Sequence, residues 1–138
     1  MIIVPFKAEH LRGLKLQPAQ SAAPPLTAEE AERVGTAYTA MSDGVPVACG
    51  GLFEIWPNRA LAWTYLGVDC GREFQALHRH VLHELITAPW RRVEAYVDAS
   101  FTNGHRWMRA LGFEYEGLLR SFMADGTDMA IYARVRCE

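Results

Sequence analysis

The chain has 138 residues, half of them hydrophobic, and a formal net charge of −2, enough apolar side chain for one domain over residues 1–138 whose core outweighs chain entropy. Its basic residues lie scattered among acids and form no continuous stripe of the kind a phosphate backbone needs, which argues against nucleic acid as a partner. No apolar run reaches the roughly 18 residues that span a bilayer, and Met1 to Lys7 lacks the basic start and long apolar core of a signal peptide, so a cytoplasmic protein with no membrane partner is expected.

Cys49, Cys70 and Cys137 are odd in number and have no C-x-x-C spacing, which argues against a disulfide framework or structural zinc site and leaves three reduced thiols as the expectation. Ile2 to Val4 is a β-branched run that predicts a first strand, and Lys7 to Leu16 places His10, Leu11, Leu14 and Lys15 at helical spacing. Pro18 to Pro25 is too rich in Pro, Ala and Ser for a regular element, and Thr27 followed by Glu30 is a capping box opening a second helix through about Arg33. Three strands follow, Gly35 to Met41, Val45 to Ile55 and Ala60 to Val68, separated by the turn formers Asp43-Gly44 and Pro57-Asn58, as in an antiparallel meander.

From Gly71 to Ile86, Phe74, Leu77, Val81 and Leu85 make one apolar helix face, and Pro89 closes the element. Arg92 to Asp98 alternates, with Val93, Ala95 and Val97 on one side and Glu94, Tyr96 and Asp98 on the other, the pattern of a strand. A short helix then presents Phe101, Gly104, Met108 and Leu111 on one face, with Ser100 as the expected N-cap and Gly112 as the expected left-handed C-cap. Phe113 to Met123 and Met129 to Val135 flank Asp125-Gly126-Thr127 and predict a closing hairpin.

The element order, together with Leu111-Gly112-Phe113 and the Glu116-Gly117 pair behind it, resembles the GNAT acyltransferase superfamily. The resemblance covers nearly the whole chain, its specific residues lying mainly between positions 92 and 135. It implies an α/β fold: a single GNAT-like domain with a central mixed β-sheet flanked by helices. A looser likeness to small phage- and prophage-encoded GNAT-like proteins is carried by Leu16-Gln17-Pro18-Ala19-Gln20, Gly104-His105-Arg106-Trp107, Asp128-Met129 and Tyr132-Ala133-Arg134.

The superfamily resemblance implies that acetyl-coenzyme A enters between two splayed parallel strands and lies along the edge of the earlier one, here Leu66, Gly67 and Val68. Gly67 either admits a ligand to the backbone or merely ends its strand. The same resemblance implies a glycine-rich phosphate turn at Cys70 to His78, where the three key positions are Glu73, Ala76 and His78 and none keeps the family residue. Glu73 would set a negative charge beside a pyrophosphate, while Arg72, Gln75, Ala76 and the helix dipole remain to hold it.

Acetyl transfer also needs a neutral amine, whose ordinary pKa is about 10.4. Glu54 is the candidate general base, with Tyr65 or Asp69 behind it, and its alternative reading is a solvated edge residue. The proton-donating tyrosine that the resemblance implies is Met108 here, and a thioether has no proton to give; Tyr96 or Ser100 would have to substitute. His78, His80 and His83 beside Glu84 read as a polar helix face and not a metal site. Trp56, Trp63, Trp90 and Trp107 read as core, with a substrate cage as the alternative. Two functions remain open: an acyl-coenzyme A dependent N-acetyltransferase, acting weakly or not at all on a small-molecule or peptide amine, and a non-catalytic GNAT-like binding module of phage origin.

Overall fold

Asp43 and Gly44 both take positive φ, 51° and 78°, the two-residue turn whose twist suits an antiparallel pair. Asn58 follows Pro57 at φ 79°, the position that tolerates Asn in a tight turn. These two turns fold the first half of the sheet. The computed structural model describes residues 1–16, 29–30 and 36–137. Across these run β1 (Ile2–Pro5), α1 (Ala8–Arg12), β2 (Tyr38–Ser42), β3 (Val45–Trp56), β4 (Arg59–Leu66), α2 (Phe74–Thr87), β5 (Arg92–Asp98), α3 (Thr102–Ala110), β6 (Glu114–Leu119) and β7 (Met129–Val135). A short 3-10 turn, Cys70–Glu73, leads into α2.

The described strands form one mixed seven-stranded sheet in the order β1-β2-β3-β4-β5-β7-β6. β4 and β5 run parallel, as the intervening helix predicts, since parallel neighbours need a crossover. Leu77, Val81 and Leu85 of α2 and Met108 of α3 pack with Val93, Ala95 and Val97 in the main core. The opposite face carries a smaller cluster of Phe6, Leu14, Cys49, Trp63 and Tyr65. No described helix is long and apolar enough to cross a membrane.

α3 ends as its sequence predicts. Gly112 takes φ 86°; its N–H donates to Arg109 O at 3.1 Å and the Phe113 N–H donates to Met108 O at 2.9 Å, the paired bonds of a Schellman motif. The same helix is tied to β7 through His105. Its Nε2–H donates to Ala99 O at 2.9 Å, which leaves Nδ1 to accept the hydroxyl of the buried Tyr132 at 2.6 Å.

Several boundaries differ from the sequence pattern. α1 stops at Arg12 because Gly13 follows, and Leu16 forms an isolated antiparallel bridge with Gly67 instead of extending the helix. Ser100 does not cap α3; its N–H and hydroxyl both donate to Asp98 Oδ1, and Phe101 occupies the cap position. The Pro-rich connector, the Thr27 cap and the Gln17 to Gln20 segment lie outside the described residues, and of the predicted second helix Glu29 and Glu30 are seen as helical.

Candidate active cleft

β4 and β5 pair over only three rungs, Arg59 with Arg92, Ala60 with Val93 and Leu61 with Glu94. Beyond Leu61 the strands part. A cleft of about 160 Å³ opens in the split, and its lining includes Ala62 to Leu66 of β4, Ala95 to Asp98 of β5, and Gly104, Trp107 and Met108 of α3. Phe122, Met123 and Thr127, from the segment joining β6 to β7, close the other side. The cleft thus passes through the sheet and touches both faces.

A charged cluster holds the strands together at the foot of the split. Glu94 is 1% exposed, a costly place for a carboxylate unless it is paired. Arg59 Nε and Nη2 both donate to it, and Arg92 Nε donates at 2.9 Å. The Arg59 hydrogen bond, followed by the Arg92 bond against an opposing burial effect, holds the Glu94 pKa below its ordinary value. Arg92 also forms a two-pronged pair with Glu116, at 2.6 and 3.2 Å. Arg59 lies 4.4 Å over the ring of Trp56, a tryptophan that is 58% exposed and therefore not the core residue that its size suggests.

Of the predicted cofactor edge, Leu66 lines the cleft. The Gly67 N–H donates to Val47 O and the Val68 N–H to Lys15 O, each at 2.8 Å, so both of these donors are engaged within the chain. Gly67 ends its strand and also admits a close approach. An added Cβ would stand 3.1 Å from Val47 O and 3.3 Å from Leu14 Cδ2, so the approaching group is the chain itself.

In the following turn, a Cβ on Gly71 would meet nothing within 4 Å. Arg72 is exposed, 3.8 Å from Asp43. Gln75 is exposed and Ala76 half-buried near the start of α2, and neither lines the cleft. The Glu73 carboxylate accepts the Ser42 hydroxyl at 3.1 Å and lies 3.6 Å from the Met1 ammonium. The repulsion expected from it is therefore partly offset within the chain. Bulky side chains also gather at this turn: Phe74 packs on Trp107 with ring centroids 5.2 Å apart, and the Trp107 indole donates to His78 Nδ1 at 3.0 Å. These three side chains bridge α2 and α3 beside the cleft.

The predicted catalytic residues separate. Glu54 is exposed and away from the cleft, where its carboxylate accepts the Trp90 indole at 2.7 Å. The register explains this: Glu54 pairs with Ala60 near the Pro57-Asn58 turn, at the closed end of the split. Tyr65 does line the cleft, packed on Trp63 with centroids 5.9 Å apart. Burial raises its pKa, so it keeps its proton. Asp69 is exposed. Tyr96 lines the cleft, stacked on Phe122 with centroids 5.3 Å apart, and burial raises its pKa as well.

The helix histidines have separate neighbours. His78 accepts from Trp107, while His80 meets Tyr38 edge-on at 4.6 Å and lies 3.6 Å from Glu84. Among the described residues no three His, Cys, Asp or Glu side chains gather as metal ligands.

Sequence reasoning missed Asp98, Phe122 and the pairing role of Glu94. The alternation of β5 does put Glu94, Tyr96 and Asp98 on one face, but it could not show that this face borders a gap in the sheet.

No protein-family model matches the sequence, and no curated protein matches it. Solved structures do resemble the fold. A ribosomal-protein-alanine N-acetyltransferase from Brucella melitensis superposes with a TM-score of 0.74 at 14% identity, covering 99% of this chain and 100% of the other. An N-acetyltransferase from Staphylococcus aureus gives 0.71 at 18%, covering 97% of each chain. A GNAT superfamily phosphinothricin acetyltransferase from Sinorhizobium meliloti, solved in complex with acetyl-coenzyme A, gives 0.69 at 19%, covering 97% and 87%. The architecture is thus a GNAT-like α/β fold.

Proposed function

We propose that the chain is an acyl-coenzyme A dependent N-acetyltransferase with a weakened phosphate turn. The observation that carries this reading is the cleft opened where β4 and β5 part after three rungs, in a fold shared with N-acetyltransferases. Acetyl-coenzyme A, when bound, would supply an acetyl thioester, whose C–S bond breaks as the amine forms its N–C bond; the leaving thiolate would take a proton from a phenol, and the proton shed by the amine would restore that phenol. The residues fit this group unequally. The Leu66 end of β4 and the apolar wall of α3 suit a slender acyl arm. Gly71 leaves its backbone open and Arg72 is exposed, with only a loose 3.8 Å pair to Asp43, but Phe74, His78 and Trp107 crowd the way between α2 and α3.

Two phenols take over the proton chemistry that Met108 lacks. Tyr65 and Tyr96 both line the cleft, and each phenol carries a proton to give at neutral pH, burial pushing its pKa further up. Tyr96 is the better placed, because Phe122 stacks on its ring and fixes it. Glu54 has no part in this reading. The acceptor is a small-molecule or peptide amine, the classes named by the solved neighbours.

The aromatic bridge of Phe74, His78 and Trp107 supports a second reading, a binding module without catalysis. Calorimetric titration with acetyl-coenzyme A, followed by mass spectrometry of candidate amines, separates the two. Saturable binding with acetyl transfer supports the enzyme. A Tyr96→Phe variant that binds equally and transfers equally removes Tyr96 from the mechanism, and no binding at millimolar acetyl-coenzyme A favours the module.

A further inference from the structure

The cleft carries one charged side chain among its described lining residues, Asp98 at the end of β5. Its Oδ1 accepts the Ser100 N–H at 2.9 Å and the Ser100 hydroxyl at 2.8 Å. Those two bonds fix the carboxylate, and its Oδ2 has no hydrogen bond among the described residues. The neighbouring walls are aromatic or apolar: Trp63, Tyr65, Tyr96 with Phe122 stacked on it, and Met129, which pairs with Asp98 across the β5–β7 ladder. None of the described lining residues is cationic and able to receive an anion. The guanidiniums of Arg59 and Arg92, at the foot of the split and the other end of β5, are taken up by Glu94 and Glu116.

We infer that this end of the cleft takes a primary amine carried on an aromatic or branched apolar body, with the ammonium received by Asp98. Charge complementarity selects a cation, and aromatic faces add attraction for an ammonium beyond their area. The same balance disfavours a free amino acid or a phosphorylated amine, because a buried anion without a partner is strongly penalised. A polyamine or a lysine-rich peptide finds only one carboxylate there. The role of the amine as acetyl acceptor, for which the bound ammonium must first give a proton to Asp98 Oδ2, rests on the function proposed above, whereas its binding rests on the lining of the cleft.

The test measures binding before transfer. Phenethylamine, 2-phenylethanol, phenylalanine and spermidine are titrated by calorimetry into the protein, alone and with desulfo-coenzyme A. Phenethylamine is expected to bind at least tenfold more tightly than the other three. Asp98→Asn should reduce that affinity about tenfold while leaving 2-phenylethanol unchanged, with a thermal melt confirming that the variant folds. Amine binding no better than that of the alcohol, or unaffected by Asp98→Asn, overturns the inference, as does a preference for spermidine. Addition of acetyl-coenzyme A then tests the reaction separately. An amine that binds through Asp98 but is never acetylated supports this site and sinks the enzyme reading alone.

Discussion

Leu61 and Glu94 stand opposite one another as the last rung of the parallel ladder, and the sheet divides directly beyond them. Glu94→Gln leaves Arg59 and Arg92, both part-exposed, gripping a neutral amide. Loss of a fully buried ionic partner costs about 3–5 kcal/mol, and since Arg92 also keeps Glu116, urea unfolding at pH 7 should show a smaller loss of about 1–3 kcal/mol. The Glu94 pKa is held below the ordinary 4.5 in the fold. Its contribution is therefore whole above about pH 4.5 and is lost as the pH falls through the folded value. The gap between parent and variant should shrink steadily toward pH 3, and a gap constant across that range would show that the carboxylate charge is not what stabilises the foot of the split.

Gly112→Val should lower stability by at least about 1–2 kcal/mol, since a β-branched residue resists the left-handed conformation that φ 86° requires. An added Cβ would also stand 3.3 Å from Arg134 Nε, whose N–H holds Leu111 O at 3.1 Å. Differential scanning calorimetry checks this, and a melt matching the parent would refute the cap.

Gly104→Ala puts two effects in opposition. The α3 helix gains up to about 1 kcal/mol by losing a glycine. Against that, the new methyl would meet Val97 Cγ1 at 2.7 Å and Phe101 Cδ2 at 2.8 Å, an overpacking that costs about 1–3 kcal/mol. A net loss in chemical denaturation is expected. Phenethylamine binding should weaken with it, because Gly104, Val97 and Phe101 all line the cleft.

Trp107→Ala removes the ring against Phe74 and the donor to His78, and should strengthen acetyl-coenzyme A binding about tenfold, or roughly 1.4 kcal/mol. Glu73→Gln should change it less than twofold, since the Glu73 carboxylate already has the Ser42 hydroxyl and the Met1 ammonium beside it. Titration of both variants at two salt concentrations decides between bulk and charge as the obstacle. The opposite ranking would reinstate charge.

The sheet order of the second half of the molecule was legible because its signals are local: alternation in Arg92 to Asp98, the glycine at 112, and the hairpin flanking Asp125-Gly126. The parallel pairing of β4 with β5 followed from the helix between them. The site was less legible, since its shape depends on where that pairing stops, and a register of three rungs leaves no mark in either strand. Glu54 looked available for catalysis because a strand-end carboxylate resembles any other in sequence. Only the register shows that it lies at the closed end. Asp98 escaped notice for the converse reason, as the last polar residue of an alternating strand usually faces water.

Arg59 comes from β4 and Arg92 from β5, yet both grip the same Glu94 carboxylate. The two half-sheets are therefore riveted at one end, while their far ends are joined through helices and loops. Beyond the rivet no backbone rung among the described residues ties β4 to β5, so the width of the cleft is set there by the side chains packed around it and not by the ladder.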